Sequence, residues 1–111
     1  MPSESKLYGA IRLKASALGG RLYRNNVGLF YTKTGELTRC GLAEGSSDLI
    51  GWMTYDGRAI FAAVEVKRSA SVKAKKSQQL FIAAVRRSGG FACVVSSVDE
   101  FENEWRKYNG L

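Results

Sequence analysis

Asp56-Gly57 constrains this chain more than any other pair of residues. An Asp-Gly dipeptide between two apolar runs is the strongest short-range hairpin signal, because both residues accept the left-handed backbone that a two-residue turn requires. The flanking runs cover roughly residues 48–55 and 58–67. If Asp56 and Gly57 form the loop, Tyr55 faces Arg58, and counting outward brings Asp48 opposite Glu65. Directly opposed side chains in an antiparallel pair have Cβ atoms ~4.5–5.5 Å apart. Two carboxylates so placed repel, and a divalent cation compensates them best.

The same register pairs Ile50 with Ala63 and Trp52 with Phe61 on one face, and Leu49 with Val64 and Met53 with Ile60 on the other. Apolar residues therefore match on both faces, and only the Asp48 end becomes charged. Lys67 lies two residues past Glu65, on the same face and ~6.6 Å further along. This is the expected pattern of a site at the end of a central strand pair.

Net charge is +7, and the chain has no histidine. The acids Asp99, Glu100, Glu102 and Glu104 lie near the C-terminus, where Arg106 and Lys107 are the only bases beyond residue 97. The preceding body is correspondingly more basic and suits a polyanion, with salt-dependent binding; a basic domain with solvated lysines accounts equally well for the charge. The missing histidine excludes Ser-His-Asp and Cys-His hydrolysis, His-based nuclease sites and His-ligated zinc. Any chemistry rests on carboxylates, lysine, amides and hydroxyls. Cys40 and Cys93 are isolated thiols without metal-like spacing, which predicts buried small hydrophobes in a reducing cytoplasm. The length of 111 residues predicts one domain. No apolar run reaches the ~20 residues of a membrane span, and the N-terminus lacks a signal-peptide pattern.

In chain order, Ser3 is an expected N-cap for a helix packing through Leu7, Ile11, Ala15 and Leu18 and stopped by Gly19-Gly20. Leu22–Arg24 is a short strand. Residues 25–47 read as a long functional loop, a surface excursion, or a loop containing a small hairpin about Thr34-Gly35; Phe30, Tyr31, Lys33 and Arg39 there are candidate nucleic-acid contacts. A basic connection, Arg68–Ser77, overlaps the start of a helix from about Lys75 to Arg87, with Leu80, Phe81, Ala84 and Val85 on its packing side. Phe91–Val95 is an apolar strand of a sheet covered on both faces. Asp99–Tyr108 is an amphipathic helix using Phe101 and Trp105. The result is one α/β unit with a mixed sheet, whose last strand–helix–strand crossover is right-handed and parallel.

A Glu-x-Lys on a strand is by itself an ordinary surface pair. Here valines flank it, Asp48 falls opposite Glu65, and Gln78 opens the next helix as the chain returns to this end of the sheet. Gln79 competes with Gln78 for that role. Glu4 is read either as an acid complementing the helix dipole or as a site residue.

Asn25-Asn26-Val27-Gly28, Gly45-Ser46-Ser47-Asp48-Leu49-Ile50-Gly51, Glu65-Val66-Lys67, and Gln78 ahead of Phe81 and Gly89-Gly90 form an ordered set. It resembles the virus-type replication-repair nuclease (VRR-NUC) domain of the PD-(D/E)XK superfold, from Glu4 to about Val95. Ser47 departs from the pattern, where the family often has proline. The resemblance implies an αβββαβ core, mixed central sheet and flanking helices, here with an extra C-terminal helix. It implies metal-dependent cleavage of DNA phosphodiesters, with Mg²⁺ or Mn²⁺ as the cofactor. By motif, Asp48 and Glu65 are metal ligands, Lys67 the catalytic lysine, and Gln78 and Glu4 supporting residues; the backbone carbonyl of Val66 and Glu4 complete the candidate ligand set. Arg24, Asn26, Lys33, Arg39, Arg68, Lys73, Lys75 and Lys76 are the candidate DNA contacts. Small members suggest a homodimer acting on branched DNA such as four-way junctions. The alternatives are a non-catalytic nucleic-acid-binding module and a nuclease subunit that requires a partner.

Overall fold

Asp56 and Gly57 both adopt left-handed backbone, with φ of 52° and 73°, and the strands they join pair antiparallel from Tyr55–Arg58 to Leu49–Val64. The turn chemistry thus sets the register that the sequence predicts. The structure is a computed structural model describing residues 4–110. The expected Ser3 cap lies outside the described residues.

The elements are α1 (Glu4–Ala17), β1 (Arg21–Arg24), β2 (Gly28–Tyr31), β3 (Leu37–Cys40), β4 (Leu49–Tyr55), β5 (Arg58–Val66), α2 (Lys76–Arg87), β6 (Phe91–Val95) and α3 (Val98–Tyr108). A four-stranded sheet has the order β1-β4-β5-β6. β1 and β5 run antiparallel to β4, and β6 runs parallel to β5. This is the expected αβββαβ core followed by a terminal helix. The small hairpin is present as well: β2 and β3 pair as a separate two-stranded sheet inserted between β1 and β4.

Period-two alternation divides the sheet residues between two cores. One face carries Leu22, Leu49, Met53, Val64 and Cys93 against Leu7, Tyr8, Ile11 and Ala15 of α1 and Phe101 and Trp105 of α3. The other carries Ala63 and Ala92 against Ile82 and Val85 of α2, with Ile50 and Phe81 at the margin. β5 is therefore buried on both sides over its second half, Ala62–Val66. α3 is fastened by Ser97, whose side chain accepts from the Glu100 N–H, and by edge-to-face packing of Phe91 on Phe101 and Trp105.

Several packing expectations need correction. Leu80 is 61% exposed and Ile82 occupies the α2 interface instead. Trp52 and Phe61 pair as expected but remain 38% and 45% exposed, because α2 covers β6 and the second half of β5 and leaves β1, β4 and the first half of β5 more open on that face. Cys93 is buried, and that burial pushes its thiol pKa up; Cys40 is only partly buried.

The left-handed Asp56-Gly57 turn yields a direct test. A Cβ on Gly57 meets no neighbour within 4 Å, so Gly57→Ala isolates the backbone penalty. The urea midpoint should fall by the equivalent of about 1–2 kcal/mol with the m-value unchanged.

Candidate active site

Asp48 immediately precedes β4, where two neighbours fix it. Its carbonyl accepts from the Asn25 N–H at 2.8 Å, and its Oδ2 accepts from the Val66 N–H at 2.8 Å. One carboxylate oxygen is thereby docked against the last residue of β5. Val66 thus meets Asp48 through its N–H.

Glu65 is the anomaly of the fold. It is 1% exposed, and neither of its oxygens accepts a hydrogen bond. Its counter-charge is Lys67, with Nζ 3.5 Å from Oε2. Burial, followed by the nearby Asp48 charge, raises the Glu65 pKa from 4.5 to about 7, with Lys67 opposing. A buried carboxylate without hydrogen bonds is costly, so this site calls for a further cation. The donor set suits a hard one: two carboxylates and backbone oxygen, with no nitrogen or sulfur ligand. Among the described residues no group of three or more His, Cys, Asp and Glu side chains forms a metal cluster, so most of the coordination shell would be water or substrate, as Mg²⁺ prefers.

Lys67 extends to Gln78, whose Oε1 accepts from Nζ at 3.1 Å and from the Lys75 N–H at 2.8 Å. Gln78 therefore caps α2 and holds Lys67 with one oxygen. Gln79 instead donates to the Ala74 carbonyl at 2.7 Å, so geometry separates the two glutamines that the sequence left in competition.

Asn25 is the residue whose role the sequence did not reveal. Its Nδ2 donates to Ser46 Oγ and to the Ser47 carbonyl, each at 2.8 Å. Its Oδ1 accepts from the Leu42 N–H at 2.9 Å. One amide thus ties the segment before Asp48 to the end of β1, and supplies from outside the stiffness that Ser47, in place of proline, does not. Gly45 completes the seat: its φ is +87°, and a Cβ there would lie 2.8 Å from the Ser77 carbonyl oxygen at the start of α2.

Tyr8 is a second missed neighbour. It lies one helical turn after Glu4, the signal that places both on one side of α1. Its ring lies beneath the Arg24 guanidinium, 4.0 Å from centroid to Cζ. Burial, then Asp48 and Glu4, raise its phenol to about 12. Arg24 also donates to Asn26 Oδ1.

Arg24, Asn26, Lys75, Asp48 and Gln78 line one open cleft of about 430 Å³. Glu4 and Arg68 instead line another cavity, beside Ser96 and Val98. Lys33 lies between β2 and β3, Arg39 on β3, Lys73 on the exposed segment before α2, and Lys76 at its first residue. The cleft thus gathers three of the eight expected DNA contacts.

A family model of the VRR-NUC domain matches residues 35–99. A solved structure described as a VRR_NUC domain is similar with a TM-score of 0.65, covering 95% of this chain and 96% of its own at 20% identity. At that identity the likeness speaks for the fold, which is PD-(D/E)XK-like. No curated protein matches the sequence.

Two outcomes follow. Asn25→Ala removes three hydrogen bonds, two of them partly buried, so stability should fall by about 1–3 kcal/mol and amide exchange should accelerate across residues 42–47. The second concerns Glu65 without metal. Its folded pKa lies above its unfolded one, so the native state binds more protons between about pH 4.5 and 7, and stability falls as pH rises through that window. In EDTA, Glu65→Gln should therefore melt above the parent at pH 8, with a smaller gain at pH 5; equal gains would contradict the charge origin.

Proposed function

This chain belongs to the VRR-NUC domain family, and from that premise we propose that it is a divalent-metal-dependent DNA endonuclease, a single nuclease domain hydrolysing phosphodiester bonds. The observation that carries this reading is Glu65: a buried carboxylate with both oxygens free of hydrogen bonds, beside Asp48 and backed by Lys67. A module that only binds DNA gains nothing from two neighbouring carboxylates, one of them buried without a hydrogen bond.

In this reading Asp48, Glu65 and the Val66 carbonyl would hold Mg²⁺ or Mn²⁺, with Glu4 of α1 as a further candidate ligand. The metal supplies Lewis acidity and a more acidic bound water. The chain's own residues do the rest. The Val66 N–H fixes the Asp48 carboxylate, so its second oxygen keeps one direction. The Lys67 ammonium lies where negative charge develops on the attacked phosphate and stabilises it without reorganising. Gln78 holds Lys67 in that place, and Asn25 holds the chain entering Asp48. Arg24, Asn26 and Lys75 line the cleft as backbone contacts, with Lys33, Arg39, Arg68, Lys73 and Lys76 extending the basic track.

We take the substrate to be branched DNA such as a four-way junction, processed in replication, recombination or repair. One chain carries one such site, and paired cuts on a branch require two, so the acting form we propose is a homodimer.

Cleavage of a labelled four-way junction and of linear and flapped DNA, with Mg²⁺, Mn²⁺ or EDTA, tests the reading. Asp48→Ala, Glu65→Ala and Lys67→Ala should each lower cleavage by at least ~10²-fold while binding in EDTA stays within a few-fold. Full activity of Lys67→Ala would remove the assignment. Replacing Lys73, Lys75 and Lys76 together with glutamine should weaken binding and reduce the slope of log affinity against log salt by about 2–3. An unchanged slope would place the DNA track elsewhere.

A further inference from the structure

The open face of the sheet carries an aromatic strip that the cleavage chemistry does not use. Tyr23 on β1 and Trp52 on β4 have ring centroids 6.2 Å apart, and Phe61 on β5 pairs directly with Trp52. All three are more than a third exposed. Large rings on a two-sided sheet are ordinarily covered; elsewhere on β4 and β5 Leu49, Met53, Val64 and Val66 are buried, and among the remaining large apolar residues only Tyr55, at the turn, is comparably exposed.

Two further observations say what covers them. The strip is continuous with the carboxylate site: Asp48, Ile50 and Trp52 alternate onto one face, as do Glu65, Ala63 and Phe61. At ~3.3 Å rise per residue, Trp52 stands roughly 13 Å from Asp48 along the strand. The rim is cationic. Arg21 pairs with Trp52 across β1 and β4, and the Arg12 guanidinium lies 5.9 Å from the Tyr23 ring centroid. No acid other than Asp48 and Glu65, at the far end, lies on this face of β1, β4 and β5. An isologous contact would set the patch against itself, bringing Arg21 and Arg12 towards their own copies without acidic partners. An anionic, base-bearing strand complements both the rings and the charge.

We propose that Tyr23 and Trp52, flanked by Phe61, Arg12 and Arg21, form a stacking platform for the unpaired bases of single-stranded DNA running from the carboxylate cleft. It rests on the nuclease reading for the strand's direction, and it narrows the branched substrate of that reading to DNA with an unpaired segment beside the cut, such as a flap, over a fully paired four-way junction. Bases inside a duplex present no free ring face, whereas every unpaired base does, so the platform selects for unpaired structure and tolerates any sequence.

Tryptophan fluorescence tests it, because the chain has only Trp52 and Trp105 and Trp105 is buried. The full-length chain is titrated in EDTA with a thymidine oligonucleotide and, in parallel, with a blunt duplex. The oligonucleotide should quench the emission, and Trp52→Phe should remove that quenching. By anisotropy, Trp52→Ala and Tyr23→Ala should each weaken oligonucleotide binding about tenfold or more, with duplex affinity unchanged. Absence of quenching, or equal losses for both DNAs, would overturn the proposal. So would light scattering in which Trp52→Ala converts a dimer to a monomer at unchanged strand affinity, which would assign the face to a second copy. These readouts are independent of cleavage: an inactive protein that still shows them refutes the nuclease reading alone.

Discussion

The antiparallel pairing of β4 with β5 is the constraint on which the site depends. Side chains alternate along a strand, so a slip of one residue would turn Asp48 and Glu65 to the opposite face. There they would meet Leu7, Ile11 and the rest of the α1–α3 core. Turn and core therefore enforce the same register: Asp56 and Gly57 set it through left-handed backbone, and the apolar pairs Leu49–Val64 and Met53–Ile60 reward it. The Val66 N–H then takes up Asp48 Oδ2 one step beyond the last paired residues.

Electrostatics follows from that placement. Glu65 is buried because β5 is central, flanked by β4 and β6, and its charge is costly because both oxygens lack hydrogen bonds beside Asp48, a cost that the lysine at 3.5 Å offsets in part. Gln78 shares Lys67 with the cap of α2. The position of the ammonium is thus tied to where that helix begins. Asn25 does the same for the other carboxylate, tying its approach to the end of β1. The site is held by neighbours that also hold secondary structure together.

The helices divide unevenly between the two faces of the sheet. α1 and α3 cover one, and α2 alone crosses the other. A single helix spans about two strands, so β6 and the second half of β5 are closed while β1, the outer part of β4 and the first half of β5 are not. The aromatic strip is exposed for that topological reason, and Asp48 lines the cleft at its far end while Glu65 stays buried behind it.

Much of this was legible in the residues. The Asp-Gly turn determined the hairpin register, and periodicity located the helices and the parallel strand Phe91–Val95, since local turn chemistry and apolar spacing depend only on neighbours in sequence. The pairing of Glu65 with Lys67 needed only their spacing on one strand. The edge of the α2 packing side was not legible: Phe81 and Val85 face the sheet as expected, but Leu80 and Ile82 are equally apolar, and only the crossover geometry buries one and exposes the other. The roles of Asn25 and Tyr8 were hidden likewise, because each acts on residues at least one helix or loop away. The exposure of Trp52 and Phe61 also belongs to the tertiary structure: alternation assigns a side chain to a face, but only the number of helices on that face decides whether it is covered.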